Sequence, residues 1–347
     1  MTPVKRVTSY DVARAAGVSQ STVSRCLAED GSISVETRAR VRAVADRLGY
    51  TPNALARSLI RQRSDLIGVA VARYTLRSNP DVIHGIGERL AQAGKRILLL
   101  PVSQDRPASD ELRPVLEFPL DGLISCVLVG DADLAALRRR RLPVVFYNRD
   151  PGVEQADCVT VDHAQSGARI ARLLHRAGHR RFLCVGGPHN AFVSVQRSAG
   201  FVAALTALGL GAPAVLETDF TYEQGRAAFL RHADEAPAPD AVFAANDQIA
   251  MGVLDACRFD LGWRVPDDVS VVGFDDVPEA ARPTYSLTTV FQDSARMARE
   301  AVAILLARLA APDGQKVRTV VPAVLVRRGS ARLDGAAPDL LAVRSPE

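Results

Sequence analysis

From residue 66 onward, short apolar runs alternate with helix-length amphipathic stretches, and this alternation restricts the possible folds more than any other feature of the 347-residue chain. The runs at 66–71, 97–100, 122–125 and 144–147 are too short for buried helices and lack the alternation of a half-exposed strand. They are therefore expected as strands covered on both faces of a parallel sheet. Between them, 81–93, 109–117 and 132–140 are expected as helices. The pattern then restarts, with strands at 182–186, 241–244 and 269–273 and helices near 164–177, 195–208, 222–233 and 246–258. Such repetition predicts an α/β body of two lobes, each a doubly wound parallel sheet. The cleft beyond the carboxyl ends of their strands is the default ligand site.

The stretch from Thr8 to Arg63 reads differently, as an all-α device. Tyr10-Asp11-Val12-Ala13-Arg14-Ala15-Ala16 makes a short helical pattern that stops at Gly17, a residue that tolerates the left-handed conformation ending a helix. After a sharp turn, Ser19 sits where an N-cap belongs and residues 20–27 continue as a second helix. Val23 and Leu27 share a face and are expected to pack inward. Gln20, Ser21, Ser24 and Arg25 remain on the other face, hydrogen-bonding groups of the kind that read base edges and phosphates in a major groove. A third helix opens at Ser34, with Glu36 in its first turn, and carries Val41, Val44, Ala45 and Leu48 before stopping at Gly49.

Three small helices alone would suit any helical bundle, but the charge does not. Residues 1–63 hold eleven Lys and Arg against five Asp and Glu, a net +6, whereas the whole chain is only +4. The basic excess is concentrated in the segment that would meet a polyphosphate. Beyond the third helix, Thr51-Pro52-Asn53-Ala54-Leu55-Ala56-Arg57-Ser58-Leu59 offers a proline break and barely two turns of helix. A helix that short is marginal in water without packing, so it suits a hinge that orders on DNA.

Tyr10-Asp11-Val12-Ala13, Ala16-Gly17-Val18-Ser19, Thr22-Val23-Ser24-Arg25, Gly49-Tyr50-Thr51-Pro52-Asn53 and Ala56-Arg57-Ser58-Leu59 together resemble the consecutive signatures of the LacI/GalR family of bacterial transcription regulators. The resemblance implies DNA contact by Gln20, Ser21, Thr22, Ser24 and Arg25 in the head and by Asn53, Ala56, Arg57 and Leu59 in the hinge. Leu59 would be a wedge in the minor groove, an apolar side chain that unstacks a base step and kinks the duplex.

The resemblance runs on through Asp121-Gly122-Leu123-Ile124, Gly178-His179-Arg180-Arg181, Arg197 with Gly200-Phe201, Ala245-Asn246-Asp247, Val272-Gly273-Phe274-Asp275-Asp276 and Leu287-Thr288-Thr289-Val290, to about residue 330. It implies a periplasmic-binding-protein-like body whose chain crosses between lobes three times. The expected division is a head at 1–52, a hinge at 53–63, a body at 64–331 and a tail at 332–347. Within the body, one lobe would take 64–162 and 292–321 and the other 163–291 and 322–331. The matching effector positions are Asn148, Arg197, Phe220, Asn246 and Asp275. Arg197 offers a planar fork of donors and Asp275 a pair of acceptors for hydroxyls or an amine. The competing reading makes Asp247 and Asp275 caps for the turns that follow and Phe220 a core residue. After the first strand the chain departs from the family pattern with Arg73 and Arg77, which would favour an anionic ligand if they faced the cleft.

No run is long enough to span a membrane and no signal peptide precedes the head, so the protein is expected in the cytoplasm, at the nucleoid. Cys26, Cys126, Cys158, Cys184 and Cys257 are odd in number and widely spaced, as buried thiols are, and neither zinc nor disulfides are expected. The scattered histidines and the loop 186–189 match no metal or phosphate motif. The expectation is a non-enzymatic, cofactor-free repressor that binds a pseudo-palindromic operator as a homodimer and answers to a small effector, a sugar or sugar derivative. Control by a partner protein is the alternative. A sugar-binding transport protein of the same fold is disfavoured, because such a protein needs export and carries no DNA-binding head.

Overall fold

The computed structural model of the protein describes residues 7–27, 33–51, 63–102, 117–152 and 156–333. The hinge positions Asn53, Ala56, Arg57 and Leu59, the expected helix at 109–117 except its last residue, and the tail from 334 lie outside the described residues. The chain divides into two compact units, 1–64 and 65–347.

In the first unit, helices Ser9–Ala16, Gln20–Leu27 and Val35–Arg47 pack around Val12, Val23, Cys26 and Val41, which are completely buried. Each helix begins for a local reason. The Thr8 hydroxyl accepts from the Asp11 amide at 3.4 Å while the Asp11 carboxylate accepts from the Thr8 amide at 2.9 Å, a reciprocal capping box. Ser19 Oγ accepts from the Thr22 amide at 3.1 Å, and Ser34 Oγ from the Thr37 amide at 3.3 Å. Gly17, at φ 65°, ends the first helix in the left-handed conformation. One packing detail differs from the sequence reading. The second helix buries Val23 with Cys26, three residues on, and leaves Leu27 only half-buried at the edge of the core.

The second unit begins with β1 (Leu66–Ala72), β2 (Arg96–Val102), β3 (Gly122–Ser125), β4 (Val144–Tyr147) and β5 (Asp157–Thr160). It continues with β6 (Phe182–Val185), β7 (Ala214–Leu216), β8 (Ala241–Ala244) and β9 (Ser270–Val272), and ends with β10 (Thr289–Gln292), β11 (Arg318–Val320) and β12 (Ala323–Val326). One sheet is parallel with the order β11-β5-β4-β3-β1-β2, a second is parallel with the order β7-β6-β8-β9, and β10 and β12 form an antiparallel ribbon. The chain leaves the first sheet after β5, returns to it through the helix Ser294–Ala310 and β11, and leaves again into β12. Apolar clusters cover the sheets: Ile67, Ile86 and Leu305 belong to one at the first sheet, and Phe201, Phe243 and Phe274 to one at the second. Each of these side chains is fully buried and contributes about 1.5–3 kcal/mol.

Two glycines bring the helices His163–Arg176 and Phe192–Ala207 into backbone contact. A Cβ on Gly200 would lie 1.9 Å from the Ala164 carbonyl oxygen, and one on Gly167 would lie 2.1 Å from that of Arg197. No other residue fits at either crossing point. The close approach fixes where Arg197 stands relative to His163.

Candidate functional site

On the head, the second helix turns Ser21 and Arg25 outward and leaves Gln20, Thr22 and Ser24 half-exposed, while Val23 and Cys26 hold the opposite face. Hydrogen bonds between Ser19 Oγ and both Ser21 Oγ at 2.7 Å and Thr22 Oγ1 at 2.8 Å tie the hydroxyls at the start of that helix together. Gln20 Nε2 donates to Ser9 Oγ at 3.4 Å. The result is a polar face of short side chains with one long cation, of a shape and chemistry that a major groove admits.

In the second unit, a cleft lies beyond the carboxyl ends of both sheets, where the strand order reverses about β1 and β3 in one and about β6 and β8 in the other. All five expected effector residues line it: Asn148 after β4, Arg197 on the helix after β6, Phe220 after β7, Asn246 after β8 and Asp275 after β9. Three of them, Asn148, Phe220 and Asp275, have positive φ of 55°, 68° and 121°. Non-glycine residues in such conformations cost about 1–3 kcal/mol each and cluster where a side chain must be aimed.

Arg197 and Asp275 pair at 3.2 Å, with Arg197 only 2% exposed. Arg197 also donates to the Ala245 carbonyl at 2.6 Å, and its guanidinium lies 3.7 Å from the centre of the Phe274 ring. Its Nε donates to His163 Nδ1 at 3.2 Å. Since a guanidinium can only donate, Nδ1 must accept and the ring proton sits on Nε2, which donates to Asn148 Oδ1 at 2.9 Å. Asn148 Nδ2 then donates to Gln292 Oε1 at 3.1 Å, and Gln292 Nε2 to Asp275 Oδ1 at 2.6 Å. The five side chains form a closed ring in which every direction is fixed by a donor-only arginine and an acceptor-only carboxylate. Burial, with the nearby Arg197 and Arg149 charges, lowers the His163 pKa well below its ordinary value, consistent with the neutral ring the network requires. Burial also raises the Asp275 carboxyl, against the pull of Arg197.

The middle of the cleft is filled by an aromatic pair. Tyr74 stacks on Phe220 with ring centroids 4.5 Å apart and planes 24° from parallel. Gly187 makes room for Phe220, since a Cβ there would fall 2.3 Å from the ring. Arg149, 5% exposed, donates to the Tyr74 hydroxyl and to the Asn148 carbonyl, the latter at 2.7 Å. What stays open measures about 50 Å³, room for a few waters.

Several expectations are resolved by this geometry. Arg73 and Arg77 stand four residues apart on the short helix Arg73–Ser78, so they share its outer face; both are exposed and neither lines the cleft. The argument from them for an anionic ligand falls. Tyr74, one residue on, turns inward instead. Asp247 is a structural group, its carboxylate accepting from the Val277 amide at 2.9 Å and Thr289 Oγ1 at 2.5 Å. Asn246 does two things at once: it caps the helix Asp247–Asp255 through the Ile249 amide at 2.9 Å and donates to the Phe220 carbonyl at 3.1 Å. Phe220 is both buried and part of the lining. Tyr74, Arg149, His163 and Gln292 were not singled out from sequence. Arg149 adjoins Asn148, and that adjacency is the only signal that pointed to any of them.

The family model for bacterial regulatory proteins of the lacI family matches residues 8–53, and that for a periplasmic binding protein-like domain matches residues 171–331. The HTH-type transcriptional regulator CelR of Thermobifida fusca is 33% identical over 94% of this chain and 98% of its own. The chain belongs to the LacI family of bacterial regulators. As a member of the LacI family it is a DNA-binding transcriptional regulator. The ribose operon repressor of Escherichia coli (strain K12) is 30% identical over 93% of this chain and 99% of its own. Among solved structures, the lac repressor dimer bound to operator and the anti-inducer ONPF superposes with a TM-score of 0.82 at 30% identity, covering 94% of this chain and 99% of that one. The CelR–cellobiose complex gives 0.70 at 32% identity, covering 94% and 100%. These relatives are transcriptional regulators and not enzymes. Among the described residues, no helix is long and apolar enough to cross a membrane, and no cluster of His, Cys, Asp or Glu could hold a metal ion. All five cysteines are free and buried.

Proposed function

We propose that this LacI-family protein is a non-enzymatic, cytoplasmic repressor that binds a pseudo-palindromic operator as a homodimer and changes its operator affinity when a sugar or sugar derivative enters the cleft of its body. The proposed division of labour is a reading head at 1–52, a hinge at 53–63 and a two-lobed sensor at 64–331. Gln20, Ser21, Thr22, Ser24 and Arg25 would meet the major groove, and Asn53, Ala56, Arg57 and Leu59 the minor groove. Asn148, Arg197, Phe220, Asn246 and Asp275 would hold the effector. The lac repressor dimer bound to operator and the CelR–cellobiose complex, both similar to this chain, favour this class of partner.

The observation that carries the reading is the hydrogen-bonded ring of Arg197, His163, Asn148, Gln292 and Asp275. Asn148 follows a strand of the first sheet, whereas Arg197 and Asp275 follow strands of the second. A ligand that accepts hydrogen bonds from Arg197 and donates to Asp275 therefore competes with the ring that links the lobes. That is how a small molecule acquires different affinities for two lobe arrangements. The Tyr74–Phe220 stack must part for the ligand to enter.

A thermal-shift screen against sugars, sugar acids, sugar phosphates and nucleobases tests the reading, since a ligand of the folded state raises the melting temperature. The expected result is a sugar hit lost in both Arg197→Ala and Asp275→Ala. A hit that survives both substitutions would place the effector elsewhere. For the hinge, Leu59→Ala is expected to weaken specific operator binding far more than non-specific binding; equal losses on both would count against the wedge.

A further inference from the structure

A second cavity, of about 160 Å³, lies where the helices His163–Arg176 and Phe192–Ala207 begin beside the edge strand β11. It shares no lining residue with the effector cleft, yet His163, whose ring nitrogens hold Arg197 and Asn148, is part of its wall. We propose that this cavity is a second small-molecule site, for a neutral polyol, distinct from the effector cleft and mechanically linked to it.

The chemistry of the lining selects that class. Asp150 and Arg318 neutralise one another through a bond of 2.8 Å from Nε and an ion pair of 2.6 Å from Nη2. Asp162 uses one carboxylate oxygen to cap the helix His163–Arg176, accepting from the Gln165 amide at 2.8 Å, and its other oxygen is left for a hydroxyl donor. The Gln196 amide, half-buried at the cavity wall, has no hydrogen-bond partner among the described residues and supplies both a donor and an acceptor. Phe192 adds a partly buried ring that suits the C–H face of a sugar-like molecule. Among the described lining residues, two carboxylates against one guanidinium leave a net charge of −1, unfavourable to anions. The effector cleft, with Arg149, Arg197 and Asp275, is +1. The two cavities thus differ in the sign of their charge, and only the second disfavours anions.

Position supplies the link. Thr160, Arg318 and Val320 belong to the first sheet, while Phe192 and Gln196 sit on a helix that follows the second. An occupant touching both spans the crossing of the chain at Val161–His163 and senses how the lobes are set. Through His163 it also presses on the residue that orients Arg197. Two sites that favour the same or opposite lobe arrangements are coupled, and the coupling is reciprocal.

Saturation-transfer NMR on the full chain, with D-glucose, D-ribose and myo-inositol as probes, tests the proposal. Transfer is expected to at least one of the three. It should persist in Asp275→Asn, whose side chain does not line the second cavity, and weaken about ten-fold in Gln196→Ala, the loss of roughly one hydrogen bond. Val320→Trp, combined with Asp275→Asn so that the effector cleft is silent, places bulk in the cavity from a half-exposed edge position and should abolish the transfer without unfolding the protein, as a retained melting temperature would verify. Transfer to none of the three probes, or transfer that survives both Gln196→Ala and Val320→Trp in the Asp275→Asn background, overturns the second site. Transfer lost in Asp275→Asn but kept in Gln196→Ala assigns the polyol to the effector cleft, which would support the proposed function and remove this inference.

Discussion

Tyr74 and Phe220 stack across the cleft at 4.5 Å, the first carried by the short helix after β1 and the second by the loop after β7. The pair closes the lobes on each other with the same aromatic surface a ligand would use. Removing one ring forfeits the stacking energy and part of the buried area, so Tyr74→Ala is expected to lower the unfolding free energy by ~2 kcal/mol. Urea denaturation checks this; an unchanged midpoint would mean the stack contributes nothing to closure.

Gly200 touches the Ala164 carbonyl across the helix crossing that sets Arg197 beside His163. Gly200→Ala must push the two helices apart, at an expected cost of ~3 kcal/mol, and tilt Arg197 out of the ring. Thermal unfolding measures the first effect and loss of effector response the second. Wild-type stability in this variant would show that the crossing is looser than its geometry implies.

Asp247 gives the body a pH dependence of known sign. Burial, reinforced by the charge of Asp275, pushes its carboxyl from 3.8 up to about 7. The folded protein therefore keeps a proton that the unfolded chain releases above 3.8, and the stability this contributes is complete below that value and lost as pH rises through about 7. Asp247→Asn is expected to be more stable than the wild type at about pH 8, by up to ~4 kcal/mol, with the gap shrinking toward about pH 5. A gap that grows on acidification would reverse the argument.

On the head, Gln20→Ala should cost about 1–3 kcal/mol on the specific operator and leave binding to random duplex nearly unchanged, because an amide reads a base edge bidentately. Arg25→Ala is expected to weaken both if it meets phosphate, with a shallower salt dependence. Fluorescence anisotropy across a salt series separates the two cases.

The legible parts of this fold were those whose cause is local. β1, β3, β4, β6 and β8 are apolar on both faces, so their runs stand out without any knowledge of neighbours. β5 was missed because it begins with Asp157, a carboxylate that is 1% exposed only because Arg308 reaches it at 2.8 Å from 151 residues away. β7, Ala214–Leu216, and β11, Arg318–Val320, are three-residue edge strands, too short to stand out, and β11 opens on two polar residues. The helix Ser294–Ala310 carries a stripe at Met297, Ala301, Ile304 and Leu305 that is legible in the sequence. The cleft divides in the same way. Arg197, Asp275, Asn246, Phe220 and Asn148 were reachable through a family resemblance. His163 and Gln292 become partners of those residues only through the glycine crossing and the passage from β10 into the next helix, which no local pattern announces.

The central claim is that occupancy of the cleft changes operator affinity. It is tested most directly by titrating a palindromic operator duplex with the full chain, with and without the sugar that raises its melting temperature most. A shift in operator Kd of about 5–150-fold is predicted for the wild type, and none for Arg197→Ala, which should bind the operator normally. An operator Kd that the sugar leaves unchanged in the wild type, although the sugar demonstrably binds, would contradict the account.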